Sequence, residues 1–370
     1  MSRLRALAAN LALTLAAIVL FLLFCELAVF RFVWPASDVP ANAFVDGVVR
    51  YAPYQSGVWR VRDEIAAPFR INGQGWNSGI GDYAIARRSG VRRIAIVGDS
   101  YVEALQVAYD RSLGERLAAE MKRAGRPPEV YRFGISGAPL SQYLQIVERE
   151  VVHYRPDWIV VLIVHNDFDE SYRFKPGRYT SSFLKLRVAD GRVLRDIQPQ
   201  PWEAGALEWL RRTATARFFL YRWQVRPDFL VQTLLPQARA AIAANTDMAA
   251  MLTEPDNIRA VTDYVFARLD DAARAIGARL LLAMDGDRFA IYQGIDSPAL
   301  MLNRLAAETA GRLGIPFVDL APVFAADWGR AHRRFDFDAD GHWNERGHAV
   351  AAAAIARALN DASAQTATEP

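Results

Sequence analysis

Ser100 closes the run Arg93-Ile94-Ala95-Ile96-Val97-Gly98-Asp99-Ser100. A short, β-branched apolar run that ends in Gly reads as a buried strand entering a turn. Chemistry in open α/β sheets gathers at the carboxyl ends of strands, so a serine there is a candidate nucleophile. Its hydroxyl needs a base. The chain has five histidines. His153 ends a helical stretch, His332 lies in a basic run and His348 falls on the last helical pattern, and each reads as structural or solvated. His342 differs. It lies in Asp338-Ala339-Asp340-Gly341-His342-Trp343-Asn344. Asp340, two residues ahead, can hold the imidazole Nδ1–H while Gly341 absorbs the tight turn. Nε2 is then free to face a serine. Asp338, four residues ahead, would need a helical turn to reach the ring, yet helix signals begin only near Asn344. The order is therefore Ser, Asp, His.

The Asp336-x-Asp338-x-Asp340-Gly341 spacing also matches the first half of a calcium loop. Position twelve is Gly347, where a bidentate Glu is needed, so no metal is expected.

Acyl transfer also needs fixed donors for an oxyanion. Phe133-Gly134-Ile135-Ser136-Gly137 follows a second short strand, and the Gly137 N–H can approach a ligand closely. Val164-His165-Asn166-Asp167 follows a third, where Asn166 can present its amide. Any one of these alone reads as ordinary turn chemistry. Together, at the ends of successive strands, they form a constellation.

The elements that must position these residues alternate. Strands are expected at Arg93–Val97, Glu129–Phe133, Trp158–Val164, Arg279–Met284 and Phe317–Leu320. Helical patterns cover Leu113–Lys122, Leu140–Val152, a stripe from Ile258 to Ile276 closed by Gly277, a stretch opened by Ser297-Pro298 that runs toward Leu313, and an Ala-rich end capped by Asn344 and reaching Leu359. Such alternation implies a parallel sheet with helices on both faces. Residues 168–253 break it with aromatic and basic residues, Trp202, Trp209, Phe218, Phe219, Tyr221 and Trp223 among them. They read as a partly helical insertion over the sheet's edge or mouth. The expected organisation is 1–34 cytoplasmic N-terminus and anchor, 35–91 connector and leading segment, 92–360 catalytic domain and 361–370 polar tail.

Ala6–Cys25 carries no charge, and about 20 helical residues span roughly 30 Å of hydrocarbon. A cleaved signal has a shorter apolar core, and the Ala41-Asn42-Ala43 triplet lies far beyond this one, so a retained anchor is expected. Arg3 and Arg5 before the span place the N-terminus in the cytoplasm and the rest of the chain beyond the inner membrane, in the periplasm. Glu26 falls at the headgroup level or marks a helix partner in the membrane. The formal net charge is +3, and the chain after the span is nearly neutral, so no nucleic-acid partner is expected. The single cysteine, Cys25, lies in the span, so the exported domain is held by its core without disulfides.

With those residues in place, the pattern resembles the SGNH/GDSL hydrolases. Gly98-Asp99-Ser100 is similar to their first block, Gly137 to the second, Asn166-Asp167 to the third and Asp340-Gly341-His342 to the last. The resemblance covers about residues 70–359. It implies a flavodoxin-like three-layer α/β/α fold with Ser100 as nucleophile, His342 as base and Asp340 as its partner. It also implies oxyanion donors from the Ser100 N–H, the Gly137 N–H and Asn166. There are two departures. His165 stands where a glycine commonly precedes the Asn, and only one residue separates Asp340 from His342. That short spacing is similar to alginate O-acetylation proteins. No dinucleotide fingerprint, Walker lysine, H-E-x-x-H or G-x-S-x-G elbow occurs, and no cofactor is expected. The expected function is a serine esterase acting on O-acylated carbohydrate of the envelope or on another acyl ester. The alternatives are an O-acetyltransferase fed by a membrane acyl-donor protein and a non-catalytic carbohydrate-binding domain.

Overall fold

The computed structural model describes residues 2–123, 125, 127–174, 180–201, 206–225, 242–243, 246–247, 251 and 253–368. Five parallel strands form the centre: β1 (Arg93–Gly98), β2 (Glu129–Gly134), β3 (Trp158–Ile163), β4 (Arg279–Met284) and β5 (Phe317–Asp319), in the order β5-β4-β3-β1-β2. β1 aligns Gly98 with Gly134 on β2 and Val97 with Val161 on β3. The central strand β3 is apolar along its whole length because both of its faces are covered, while β1 and β4 begin at Arg93 and Arg279 and the edge strand β2 carries Glu129 and Arg132.

Successive residues point to opposite faces, and each face builds its own core. Ala95, Val97, Ile159, Val161, Ile163, Leu280 and Leu282 pack against α3 (Leu140–Arg149), α4 (Pro255–Ala275) and α5 (Leu300–Leu313). Ile94, Ile96, Val160, Leu162, Leu281 and Ala283 pack against α2 (Leu113–Arg123), α6 (Leu320–Ala331) and α7 (Glu345–Thr368). This is the three-layer α/β/α arrangement the sequence implies.

Several boundaries follow from local chemistry. Pro255 starts α4, and Gly277 just beyond it takes φ +72°. Ser297 opens a turn, accepting the Ala299 N–H at 3.1 Å, and α5 itself begins at Leu300. Asn344 Oδ1 accepts the N–H groups of Arg346 and Gly347 at 2.9 and 3.1 Å and so caps α7. α7 continues to Thr368, past the point where the sequence suggests a frayed tail, and Ala362 is still buried.

The stretch read as a connector contains two antiparallel hairpins. Asn42–Val45 pairs with Val48–Tyr51, and Ser56–Val61 pairs with Ile65–Arg70. Val48, Val49, Tyr51, Phe69 and Trp76 from this region join the core on the α3 side. The alternation that signals these strands is broken by polar residues, and they are buried only by long-range packing.

The described part of the insertion divides in two. The hairpin Lys185–Ala189/Arg192–Ile197 lies by α4, where Asp196 accepts from Tyr264 and Arg268. Residues 206–225 pack against the N-terminal helix and against the hairpin Ser56–Val61/Ile65–Arg70. Trp202 lies outside the described residues. That N-terminal helix, α1 (Ser2–Phe24), continues through wider π-type turns at Cys25–Val33. Arg5–Val33 is long and apolar enough to cross a membrane, and its most apolar stretch of 18 residues has a mean hydropathy of 2.7.

Candidate active site

β3, β1 and β2 are neighbours, so the turns beyond their carboxyl ends lie side by side. Those turns carry Asn166, Ser100 and Gly137. Ser100 begins a single helical turn, Ser100–Glu103, and Asp99 caps it by accepting the Tyr101 N–H at 2.9 Å. Two glycines permit this crowding. A Cβ on Gly98 would sit 2.5 Å from Val102 Cγ2 and 3.0 Å from the Leu162 carbonyl oxygen. One on Gly134 would sit 2.2 Å from the Glu103 backbone nitrogen. Gly134 was not singled out in the sequence because its requirement comes from a segment about thirty residues away.

Ser100 is 5% exposed. Its Oγ lies 2.7 Å from His342 Nε2, and His342 Nδ1 lies 2.5 Å from Asp340 Oδ1, which also accepts the His342 backbone N–H at 2.9 Å. The geometry suits a neutral imidazole with its proton on Nδ1, the tautomer in which Nε2 can accept the serine proton. Burial disfavours the imidazolium, but the Asp340 carboxylate outweighs it and raises the pKa of His342 above the ordinary 6.5. Burial likewise works against the Asp340 charge, yet His342 and its hydrogen bonds hold that carboxyl below the usual value. Asp338 points away. Its side chain is 81% exposed and pairs with Arg334 at 3.0 Å.

Gly341 does not take a left-handed conformation, and a Cβ there meets nothing within 4 Å. The tight turn is held by its carbonyl, which accepts from the Tyr101 hydroxyl at 3.1 Å and from Arg288 at 2.7 Å. Arg288 in turn pairs with Asp285, whose Oδ1 accepts from Trp343 Nε1 at 3.1 Å. This buried network fixes the loop on both sides of His342. No local pattern marks it, since Asp285 and Arg288 lie beyond the end of β4, more than fifty residues before His342.

The residues around the serine are acidic and poorly hydrated. Burial pushes Asp99 up to about 6 and Glu103 up to about 7. Glu103 accepts from the Tyr51 hydroxyl and from the Ser136 N–H at 3.1 Å, tying the Gly137 turn and the first hairpin to the serine's helical turn. Asp167 Oδ2 accepts the Val164 N–H at 2.8 Å and the Tyr143 hydroxyl at 2.7 Å, which sets the turn that carries Asn166. His165 lines the same cavity edge as Asn166. Its Nε2 is 2.9 Å from Asn303 Oδ1, and burial lowers its pKa. His348 is also buried, and burial depresses it to about 3. The Asp336 carboxylate bonds Tyr292 at 3.1 Å and Arg334 at 2.9 Å.

A cavity of about 430 Å³ adjoins the serine's turn, lined by Tyr101, Asn166, Asp287, Arg288, Phe289 and Ser297 among others.

Residues 96–350 match the model of the GDSL-like lipase/acylhydrolase family. The chain belongs to this family. It is therefore an ester-acting enzyme of the GDSL esterase type, as the motif resemblance implies. No curated protein matches the chain. Among solved structures, it is similar to an acetylxylan esterase from Geobacillus stearothermophilus at 12% identity, with 74% of this chain and 95% of that chain covered and a TM-score of 0.40. It is also similar to the lipase/acylhydrolase from Enterococcus faecalis at 12% identity, with 74% and 97% covered and a TM-score of 0.41. A two-domain esterase active on acetylated mannans is similar at 11% identity, with 76% and 51% covered and a TM-score of 0.41. The GDSL block of this acylhydrolase is Gly98-Asp99-Ser100, and its Ser100, Asp340 and His342 form one hydrogen-bonded line.

Proposed function

We propose that this GDSL-type domain, about residues 92–360, hydrolyses short acyl esters of carbohydrate through an acyl-serine intermediate. The observation that carries this reading is the line Ser100 Oγ–His342 Nε2, His342 Nδ1–Asp340 Oδ1, at 2.7 and 2.5 Å. His342 takes the proton of Ser100 as its Oγ attacks the ester carbonyl. The tetrahedral oxyanion receives hydrogen bonds from the Ser100 and Gly137 N–H groups and from the Asn166 amide. Collapse breaks the ester C–O bond, and the alcohol leaves with the proton from His342. Water, deprotonated by His342, then releases the acid and restores Ser100.

The adjoining cavity supports a hydroxylated leaving group. Asp287, held by the Ser297 hydroxyl at 2.6 Å, and the Arg288 side chain make its wall polar, and exposed Phe289 offers a stacking face. A long acyl chain would need an apolar channel.

The same proposal holds the enzyme at the inner membrane, with its N-terminus in the cytoplasm and its catalytic domain in the periplasm. Contacts between the apolar helix and the domain favour a retained anchor. Glu26 accepts from the Ala214 N–H, the Thr215 N–H and the Thr215 hydroxyl at 2.7, 2.8 and 2.8 Å, and Phe30 stacks on Phe218 at 4.4 Å. Cleavage would leave these partners bare.

Incubation with a fluorophosphonate and with a chromogenic acetyl ester tests the chemistry. Mass analysis should find the label on Ser100, and Ser100→Ala should lose both label and turnover, by on the order of 10⁴–10⁶ in rate. Label on another residue, or turnover that persists in Ser100→Ala, would refute the assignment. Faster release of acyl product onto an added glycan than onto water would instead mark a transferase.

A further inference from the structure

Residues 206–225 carry an apolar and aromatic surface that the active site does not use. Trp209 and Trp223 are 66% and 43% exposed, and Leu210 and Phe219 are exposed beside them. The Arg212 guanidinium lies over the Trp209 ring, 4.8 Å from its centroid. Within the same segment, Thr213 caps the helical turn Ala214–Arg217. Rings that are apolar in body and polar at the tip, interleaved with arginine, suit the layer between hydrocarbon and water.

The position of this surface along the span follows from arithmetic. Uncharged Ala6–Cys25 fills roughly 30 Å of hydrocarbon at about 1.5 Å per residue. Glu26 therefore stands where the hydrocarbon ends, and the turns up to Val33 occupy the headgroup layer. The segment grips the helix at that depth, through Glu26 to Ala214 and Thr215 and through Phe30 to Phe218. Phe32 and Trp34, exposed on the helix end, lie at the same level.

We infer that residues 206–225 form a second membrane contact, an amphipathic patch lying in the phospholipid headgroup layer beside the span. This rests on the anchored reading above. The occupant is lipid because the patch is continuous with the span and packs on it at headgroup depth. The contact continues toward the catalytic loop. The Arg62 N–H donates to the Arg222 carbonyl at 2.6 Å, Arg222 pairs with Asp63 at 2.7 Å, and Glu64 accepts the N–H groups of Asp338 and Ala339 at 2.8 and 2.7 Å. The bilayer is thereby linked through one hairpin to the loop that ends in His342.

The test uses the full chain in vesicles of phosphatidylethanolamine and phosphatidylglycerol that contain lipids brominated on their acyl chains. In a Cys25→Ala background, a nitrobenzoxadiazole label is placed on single cysteines at Trp209, at Trp223, at Leu15 in the span and at Lys122. Lys122 lies in the last turn of α2, at the opposite end of the sheet from Ser100. Labels at 209 and 223 should show blue-shifted, lipid-quenched emission, as at 15, while 122 stays unquenched. Quenching at 15 with 209 and 223 behaving like 122 would overturn the inference and leave the anchor standing, and it is the result expected if a protein partner covers the patch. No quenching at 15 would overturn both. A second measurement keeps Cys25 in place. The share of native tryptophan emission quenched by brominated lipid should fall in the Trp209→Phe, Trp223→Phe double variant, and an unchanged share would count against lipid contact.

Discussion

Asp340→Asn replaces one carboxylate oxygen with an amide nitrogen and little else. Asp340 Oδ1 takes both the Nδ1–H of the His342 ring, at 2.5 Å, and the His342 backbone N–H, at 2.9 Å. An asparagine that presents its oxygen there keeps both bonds but loses the charge that stabilises the imidazolium formed as Ser100 attacks. One that presents its NH₂ drives the ring proton to Nε2, where it faces Ser100 and blocks proton acceptance. Either outcome spares the fold and damages the transition state, with a loss of up to ~10⁴ in kcat, or about 5 kcal/mol. The pH profile separates the two effects. Activity needs neutral His342, so kcat/KM rises with pH through its pKa, which Asp340 holds above 6.5 against the opposing effect of burial. Without the carboxylate, burial remains, and the acid limb of the residual activity should move to lower pH. Asp338→Asn is the control. Its carboxylate is 81% exposed and bonded to Arg334, so it should leave kcat and the profile unchanged. The assay is turnover of 4-nitrophenyl acetate from about pH 5 to about pH 9, with folding checked by circular dichroism. A larger loss at Asp338 than at Asp340, or an Asp340→Asn enzyme that keeps more than roughly a tenth of wild-type kcat, refutes the assignment.

Glu103→Gln should raise thermal stability at high pH. The folded protein keeps the Glu103 proton up to about 7, whereas the unfolded chain releases it near the ordinary 4.5, so the stability tied to that proton is complete below about 4.5 and lost as pH rises through about 7. Gln retains an oxygen for Tyr51 and Ser136, and the difference in unfolding free energy between variant and wild type should grow by up to about 3 kcal/mol across that window, read from urea melts. A difference that stays flat with pH would mean that Glu103 does not titrate there. Gly134→Ala should reduce soluble yield or melting temperature sharply, because its Cβ would sit 2.2 Å from a backbone nitrogen, while Gly137→Ala, with nothing within 4 Å of its Cβ, should melt closer to wild type despite φ +74°. Arg288→Met should lower kcat more than it raises KM, since it releases the Gly341 carbonyl and leaves Asp285 buried without its cation, and equal effects on both would argue against a role in holding His342.

The central strands and the paired Ser100 and His342 were legible because each is marked locally. A strand buried on both faces is apolar throughout, and Asp-x-His before a capped helix sits within a few residues. The hairpins at 42–70 were not, since Arg50, Gln55 and Arg60 interrupt their apolar alternation and their burial depends on docking to distant elements. The acidic support of the site was hidden for the same reason. Nothing near Glu103 in the chain announces Tyr51 or Ser136 as partners. Glu26 was visible as an anomaly at the end of an uncharged run, but its partners lie 188 and 189 residues later. The aromatic insertion reads in the sequence as lying over the sheet's edge or mouth, and the partners of its rings, Phe30 for Phe218 and Trp59 for Tyr221, lie too far away in the chain to be foreseen.

The hydrogen bond between Ser100 and His342 joins residues 242 positions apart, and the last helix follows directly after the histidine. A ribosome delivers the nucleophile long before the base. On the proposed assignment the serine lacks its base until residue 342 has been made and α7 has packed on α2. A fragment that ends before the histidine keeps the serine without that base. Ester turnover would then report that both halves of the sheet have come together.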